Sequence, residues 1–224
     1  LNKDDILNDE SKDLNKGLSK SNITSPFSHL HVHTQYSVLQ ASSSIDDVID
    51  KAVEMQMPAV SITDMYNMFG SFKFLKKSLS HEINKDSEKE DLKLKPILGC
   101  ELSVCKDHLD KTVRDFGSQQ VFLCKNKNGY HNLSKLSSLG YIDGFYYIPR
   151  VDKDLILKYK KDLIALTGGY YGEVPNLILN VGESQAEEAF VWWHTHFGDD
   201  FYVELIRHGL DDQDHINSIL MKFA

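Results

Sequence analysis

Residues 28–34 read SHLHVHT. Leu30 and Val32 alternate with His29, His31 and His33, the two-residue period of a β-strand. Side chains two apart on a strand share a face. The pattern therefore gathers the imidazoles on one face and sets Leu30 and Val32 on the other, as core positions. His29 is expected deeper in the sheet, which leaves His31 and His33 nearer the strand's end. Neutral imidazole is a common ligand for zinc and similar ions, so the pair can reach one ion. A lone His-x-His is a weak signal and needs partners.

Working outward from this strand, the chain alternates strand and helix signals. Ser43 or Ser44 caps a helix to about Met55, with Ile45, Val48, Ile49, Ala52 and Val53 on one face. Residues 59–63 (AVSIT), 95–104 (KPILGCELSV), 120–124 (QVFLC), 162–167 (DLIALT) and 201–206 (FYVELI) read as strands. Helices are expected around 69–80, from the Asn128-Gly129 turn to about Leu139, and over 154–159, 183–197 and 211–223. Trp193 falls on the apolar face of the 183–197 helix, and the Trp192/Trp193 pair reads as core. Residues 1–25 are polar and nearly free of aromatics, a tail or linker. Residues 81–93 carry a run of charges and read as a solvated loop insertion.

Alternation of this kind implies an α/β fold with mainly parallel strands. Roughly six strand–helix units are visible, and a closed eight-unit barrel usually needs about 250 residues. The chain has 224. It is expected to be a barrel with fewer units or an incomplete one. The last helix runs to Ala224 without a stop signal, which favours truncation.

Asp64 follows the strand AVSIT, Glu101 lies within or at the end of KPILGC, and Arg207 and His208 follow FYVELI. Polar groups where apolar strands stop mark the active face of parallel α/β folds. Two imidazoles and two carboxylates meeting there suit a hydrolytic or phosphoryl-transfer metal site. Asp64 has the alternative of a helix or turn cap and Glu101 that of a charge at a strand end, while His208 reads rather as a turn residue before Gly209.

Composition narrows the classes. Asp and Glu number 33 against 25 Lys and Arg, a net charge of −8, so this surface does not itself attract a phosphate backbone. No apolar run approaches the roughly 18 residues of a membrane span, and the start lacks the apolar core of a signal peptide. Cys100, Cys105 and Cys124 have no framework spacing, which implies free thiols, a reducing compartment and a cytoplasmic location.

Seven segments carry a family resemblance. FSHLHVHTQYSVLQ, MPAVSITDMYNMFGSFKF, KPILGCELSVC, KNKNGYHNLSKLSSLGY, GFYYIPRVD, LIALTGGYYGEVP and FYVELIRHG follow in this order. Together they resemble the PHP (polymerase and histidinol phosphatase) domain at the start of bacterial DNA polymerase III alpha subunits. The match runs from about Pro26 to the end. The GYHNLSKLSS and GFYYIPR segments are specific to the polymerase branch.

The resemblance implies a distorted TIM-like (βα)7 PHP barrel over residues 26–224, incomplete at its C-terminus and cut before its last strand. It implies a place in a DNA-directed DNA polymerase of chromosomal replication. The nucleotidyl-transfer carboxylates and their magnesium lie outside this chain. The implied partners are the remaining polymerase domains, DNA through the parent protein, the exonuclease subunit and the sliding clamp, with no membrane.

The family's metal cluster transfers only in part. His31 and His33 match its HxH pair, Glu101 its KPI-x-G-x-E glutamate, and Asp64 its TDHxN aspartate. Met65 stands where that segment has histidine, and a thioether does not replace imidazole for a hard or borderline ion. Gln40 replaces an aspartate, Gln119 or Gln120 a histidine, and Gly169 a cysteine. The last two ligands fall beyond Ala224. What remains is room for one zinc or manganese ion at His31, His33 and Glu101, with an open position for water. The reading is a structural or docking domain with a degenerate metal site. Its alternatives are a metal-dependent 3′–5′ exonuclease and a stand-alone phosphoesterase.

Overall fold

The computed structural model describes residues 27–85 and 93–224. The expected tail at 1–25, and most of the charged stretch at 81–93, lie outside the described residues.

Helix α1 (Ile45–Glu54) starts at Ser44, whose side chain accepts from the Asp47 amide in a capping box. It precedes β1 (Ala59–Ile62), then α2 (Ser71–Ser80) and the single turn α3 (Glu82–Lys85). The long β2 (Lys95–Cys105) and β3 (Ser118–Cys124) follow. Next come α4 (Lys127–Ile142), β4 (Arg150–Asp152), α5 (Lys153–Tyr159) and β5 (Leu163–Leu166). The C-terminal part holds α6 (Glu173–Asn180), α7 (Glu183–Phe197), the short β6 (Phe201–Tyr202) and α8 (Asp211–Phe223).

One sheet takes the order β1-β2-β3-β5-β6, and β4 pairs with β2 over Ser103–Cys105, past the stretch Lys95–Leu98 that pairs with β1. The β1–β2, β2–β4 and β5–β6 pairs are parallel, and β3 runs against both β2 and β5. So β3 alone is reversed, and the expectation of a mainly parallel sheet holds for the others. The reversal follows from the connection. Residues 106–117 contain no helix, and a short link without a crossover element joins antiparallel neighbours.

The main core lies between β2, β3 and β5 and helices α4 to α8. Phe122, Leu133, Leu136, Ile156, Leu163 and Trp193 are its large fully buried members, so the core reading of Trp193 holds. A second cluster packs α1 and α2 on β1 through Ile45, Ile49, Ile62 and Phe74.

Four sequence expectations change. Residues 28–34 are not a regular strand: their one bridge joins His29 to Val60. Two backbone bonds tie this segment to the β1 edge, from the Ser61 amide to the His29 carbonyl at 2.9 Å and from the Thr63 amide to the Val32 carbonyl at 2.8 Å, and the side chains of Ser61 and Thr63 add to them. The Val32 amide donates to Thr63 Oγ1 at 2.9 Å and Ser61 Oγ donates to the Leu30 carbonyl at 2.8 Å. Leu30 is on the surface, at 39% exposure, and not a core position. Only the first two residues of FYVELI pair as a strand. Asn128 and Gly129 lie in the first turn of α4, where Asn126 accepts both their amides. Finally, β4 and α6 escaped the reading. In α6 the warning residue Pro175 sits in the first helical turn, where its missing N–H has no partner to lose.

Candidate metal centre

The site is built where residues 31–33, β2 and the segment after β6 meet. Glu101 is held from both sides of its backbone. Its amide donates to the Asp64 carbonyl at 3.1 Å, and its carbonyl accepts from the Tyr66 amide at 2.7 Å. Tyr66 takes a left-handed backbone (φ 67°), an uncommon conformation for an aromatic residue. This brings the carboxylate, almost fully buried, under the two histidines.

His31 Nε2 lies 2.8 Å and His33 Nε2 3.3 Å from the same Glu101 Oε2. The imidazoles meet edge to face, with ring centres 5.3 Å apart. On its other edge, His31 Nδ1 lies 2.7 Å from Glu204 Oε1. Burial alone would lower the His31 pKa, but the hydrogen bonds to Glu101 and Glu204 outweigh it and raise it to about 10. Burial alone would raise the Glu101 pKa, but the hydrogen bonds from His31 and His33 bring it down to about 2. In the metal-free molecule His31 is thus an imidazolium donating from both nitrogens to two carboxylates.

The second oxygen of each carboxylate, Glu101 Oε1 and Glu204 Oε2, is buried without a hydrogen-bond partner. Buried carboxylate oxygens ordinarily have partners. Donor atoms of His31, His33 and Glu101 lie within 4.8 Å of one another. Imidazole nitrogen plus carboxylate oxygen is a donor set that zinc and manganese accept. The residues present fit one divalent ion.

Asp64 is placed differently. Its carboxylate accepts from the Thr34 amide at 2.6 Å, Thr34 Oγ1 at 2.8 Å and Ser37 Oγ at 2.7 Å, all buried. It ties the loop after the HxH segment to the end of β1 and lies outside the cluster of ligating atoms.

The four substituted positions also have definite places. Gln40 is exposed in a turn closed on Ser37. Met65 bridges to Glu101 through its backbone. Gln119 pairs with Ser103 across β2 and β3, and its side chain meets the Tyr66 phenol. A Cβ on Gly169 would stand 3.8 Å from His31 Cε1. Arg207 and His208 are exposed, and the His208 amide donates to Gln213 in the turn before α8. The reading of His208 as a turn residue matches the geometry.

A second group, Asp107, His108 and Asp152, could also approach an ion. Its bonds already have a structural purpose. Asp152 caps α5 through the Leu155 amide and pairs with the His108 ring.

A protein-family model described as the PHP domain matches residues 29–208. This chain belongs to the PHP-domain family. Among curated proteins, this PHP domain is 40% identical over 204 residues to the DNA polymerase III subunit alpha of Borreliella burgdorferi, covering 89% of the chain and 17% of the relative. It is 38% identical over 183 residues to the protein of the same name from Chlamydia trachomatis, covering 80% and 14%. The Deinococcus radiodurans protein of that name is 34% identical over 209 residues, covering 88% and 15%. The chain thus spans about a sixth of the length of these relatives. The expected family resemblance holds, and with it the PHP fold.

Sequence reasoning missed Glu204. It sits inside FYVELI, and the apolar run hid it. The available signal was a carboxylate in the second half of a strand next to the expected active edge.

Proposed function

We propose that this PHP domain holds one divalent ion through His31, His33 and Glu101. We further propose that it serves as a structural part of a DNA polymerase III alpha subunit in chromosomal replication. The supporting observation is the buried Glu101 Oε1 without a hydrogen-bond partner, on a carboxylate whose other oxygen faces both His31 Nε2 and His33 Nε2. A bound divalent ion would supply positive charge and Lewis acidity at that point. Zinc suits the nitrogen-rich set and manganese is the alternative.

A proofreading nuclease needing several ions is the weaker reading. Gln40, Met65, Gln119 and Gly169 offer neither imidazole, carboxylate nor thiolate where the family has them, and the Asp64 carboxylate already accepts three buried hydrogen bonds. The polymerase relatives support the remaining polymerase domains, and DNA through them, as partners. The exonuclease subunit and the sliding clamp rest on the resemblance alone. The net charge of −8 argues that this domain is not the surface that grips DNA. No helix among the described residues is long and apolar enough to cross a membrane. A cytoplasmic location is in keeping with the free thiols of Cys100, Cys105 and Cys124.

The test is metal analysis of the purified chain after dialysis against zinc. About one equivalent is expected, falling to background in His33→Ala. No zinc, or two or more equivalents, contradicts the reading.

A further inference from the structure

Glu204 approaches His31 from the side opposite Glu101. Its Oε1 stands 2.7 Å from Nδ1, while Glu101 Oε2 stands 2.8 Å from Nε2. The two nitrogens of an imidazole point away from each other, so one ion does not serve both. His33 Nε2 also lies against Glu101 Oε2, at 3.3 Å. The cluster of potential ligating atoms comprises His31, His33 and Glu101 without Glu204. An ion therefore belongs on the Nε2 edge, and Glu204 stands behind the ring.

Glu204 is itself anchored. Its amide donates to Thr167 Oγ1 at 2.8 Å, and the buried Thr167 donates its amide to Tyr202 at 2.9 Å. The end of β5 thus fixes the backbone that carries the carboxylate. Gly169, whose added Cβ would stand 3.8 Å from His31 Cε1, contributes no side chain to steady the ring.

We propose that Glu204 is a positioning residue that accepts a hydrogen bond from His31 Nδ1–H and so fixes the tautomer whose Nε2 lone pair faces the ion. The proposal rests on the metal reading given above. A carboxylate behind a ligating histidine orients the ring and makes it a better donor.

The experiment is a zinc titration of the 224-residue chain by calorimetry with a competing chelator, for the wild type, Glu204→Ala and Glu204→Gln. Long-range proton–nitrogen spectra of the zinc-loaded wild type then read the His31 tautomer. Loss of the carboxylate in Glu204→Ala is expected to weaken zinc binding about 10–100-fold, with unchanged circular dichroism. Glu204→Gln keeps an acceptor oxygen and is expected to lose less. His31 should show a proton on Nδ1 and none on Nε2. Wild-type affinity in both folded variants overturns the proposal, and so does a zinc-loaded His31 protonated on Nε2. If Glu204→Ala does not fold, the tautomer of the wild type decides. Absence of zinc from the wild type itself would instead bring down the metal reading, and the role of Glu204 with it.

Discussion

His31 and Glu101 stand 70 positions apart in the chain, yet Nε2 of one lies 2.8 Å from Oε2 of the other. The contact joins an irregular N-terminal segment to the middle of the longest strand. With His31 protonated it is an ion pair, and it is where the proposed ion would insert.

The pair makes metal-free stability depend on pH in a defined sense. His31 is raised to about 10 from 6.5. Its contribution is full below the unfolded value and is lost as pH rises through about 10. Glu101 is lowered to about 2 from 4.5. Its contribution is present above the unfolded value and is lost as pH falls through about 2. Urea midpoints of the wild type relative to His31→Gln should show an advantage that shrinks from pH 7 to pH 10. A flat difference over that range would mean that His31 is not held as an imidazolium.

The same protonation couples to metal uptake. An ion at Nε2 must displace the His31 proton, so zinc binding at pH 7 should release about one proton from this residue. Calorimetry in buffers of different ionisation enthalpy measures the number. A value near zero would place the ion elsewhere.

Asp64 is expected to matter for stability before metal. Asp64→Ala leaves the Thr34 amide, Thr34 Oγ1 and Ser37 Oγ without their acceptor in a buried setting. The loss should be on the order of 3 kcal/mol. Equilibrium unfolding checks it, and a variant within about 0.5 kcal/mol of wild type would refute the anchoring role.

Arg150 is fully buried and has carbonyls for partners. It donates to Gly144, Asp115 and Asp110 at 2.9–3.1 Å and lies over the Tyr146 ring. The guanidinium pins residues 106–117 and 143–149 to β4. Arg150→Met removes these donors together and should destabilise by about 3 kcal/mol. Arg150→Lys should be only partly better, because an ammonium lacks the planar fork that reaches three carbonyls. Full stability in Arg150→Lys would show that a point charge suffices.

Much of this was legible in the sequence, and the exceptions have physical causes. His31, His33 and Glu101 could be read because each is a polar group interrupting an apolar pattern. Helices 183–197 and 211–223 were legible from periodicity and match α7 and α8. Residues 28–34 kept the alternation of a strand without a regular ladder, because their bonds to the β1 edge are shared between the backbone amides and the side chains of Ser61 and Thr63. Leu30 faces solvent, which alternation alone does not reveal. For Asp64, cap and ligand were equally open, and only coordinates show three donors on its carboxylate. Glu204 acts through a partner 173 positions away, a distance over which one sequence carries no pattern.

Anomalous scattering at the zinc edge from zinc-soaked crystals tests the central claim most directly. One peak is predicted, bound by Nε2 of His31, Nε2 of His33 and the carboxylate of Glu101. A multinuclear centre, or a sole peak at Asp107, His108 and Asp152, would contradict the account.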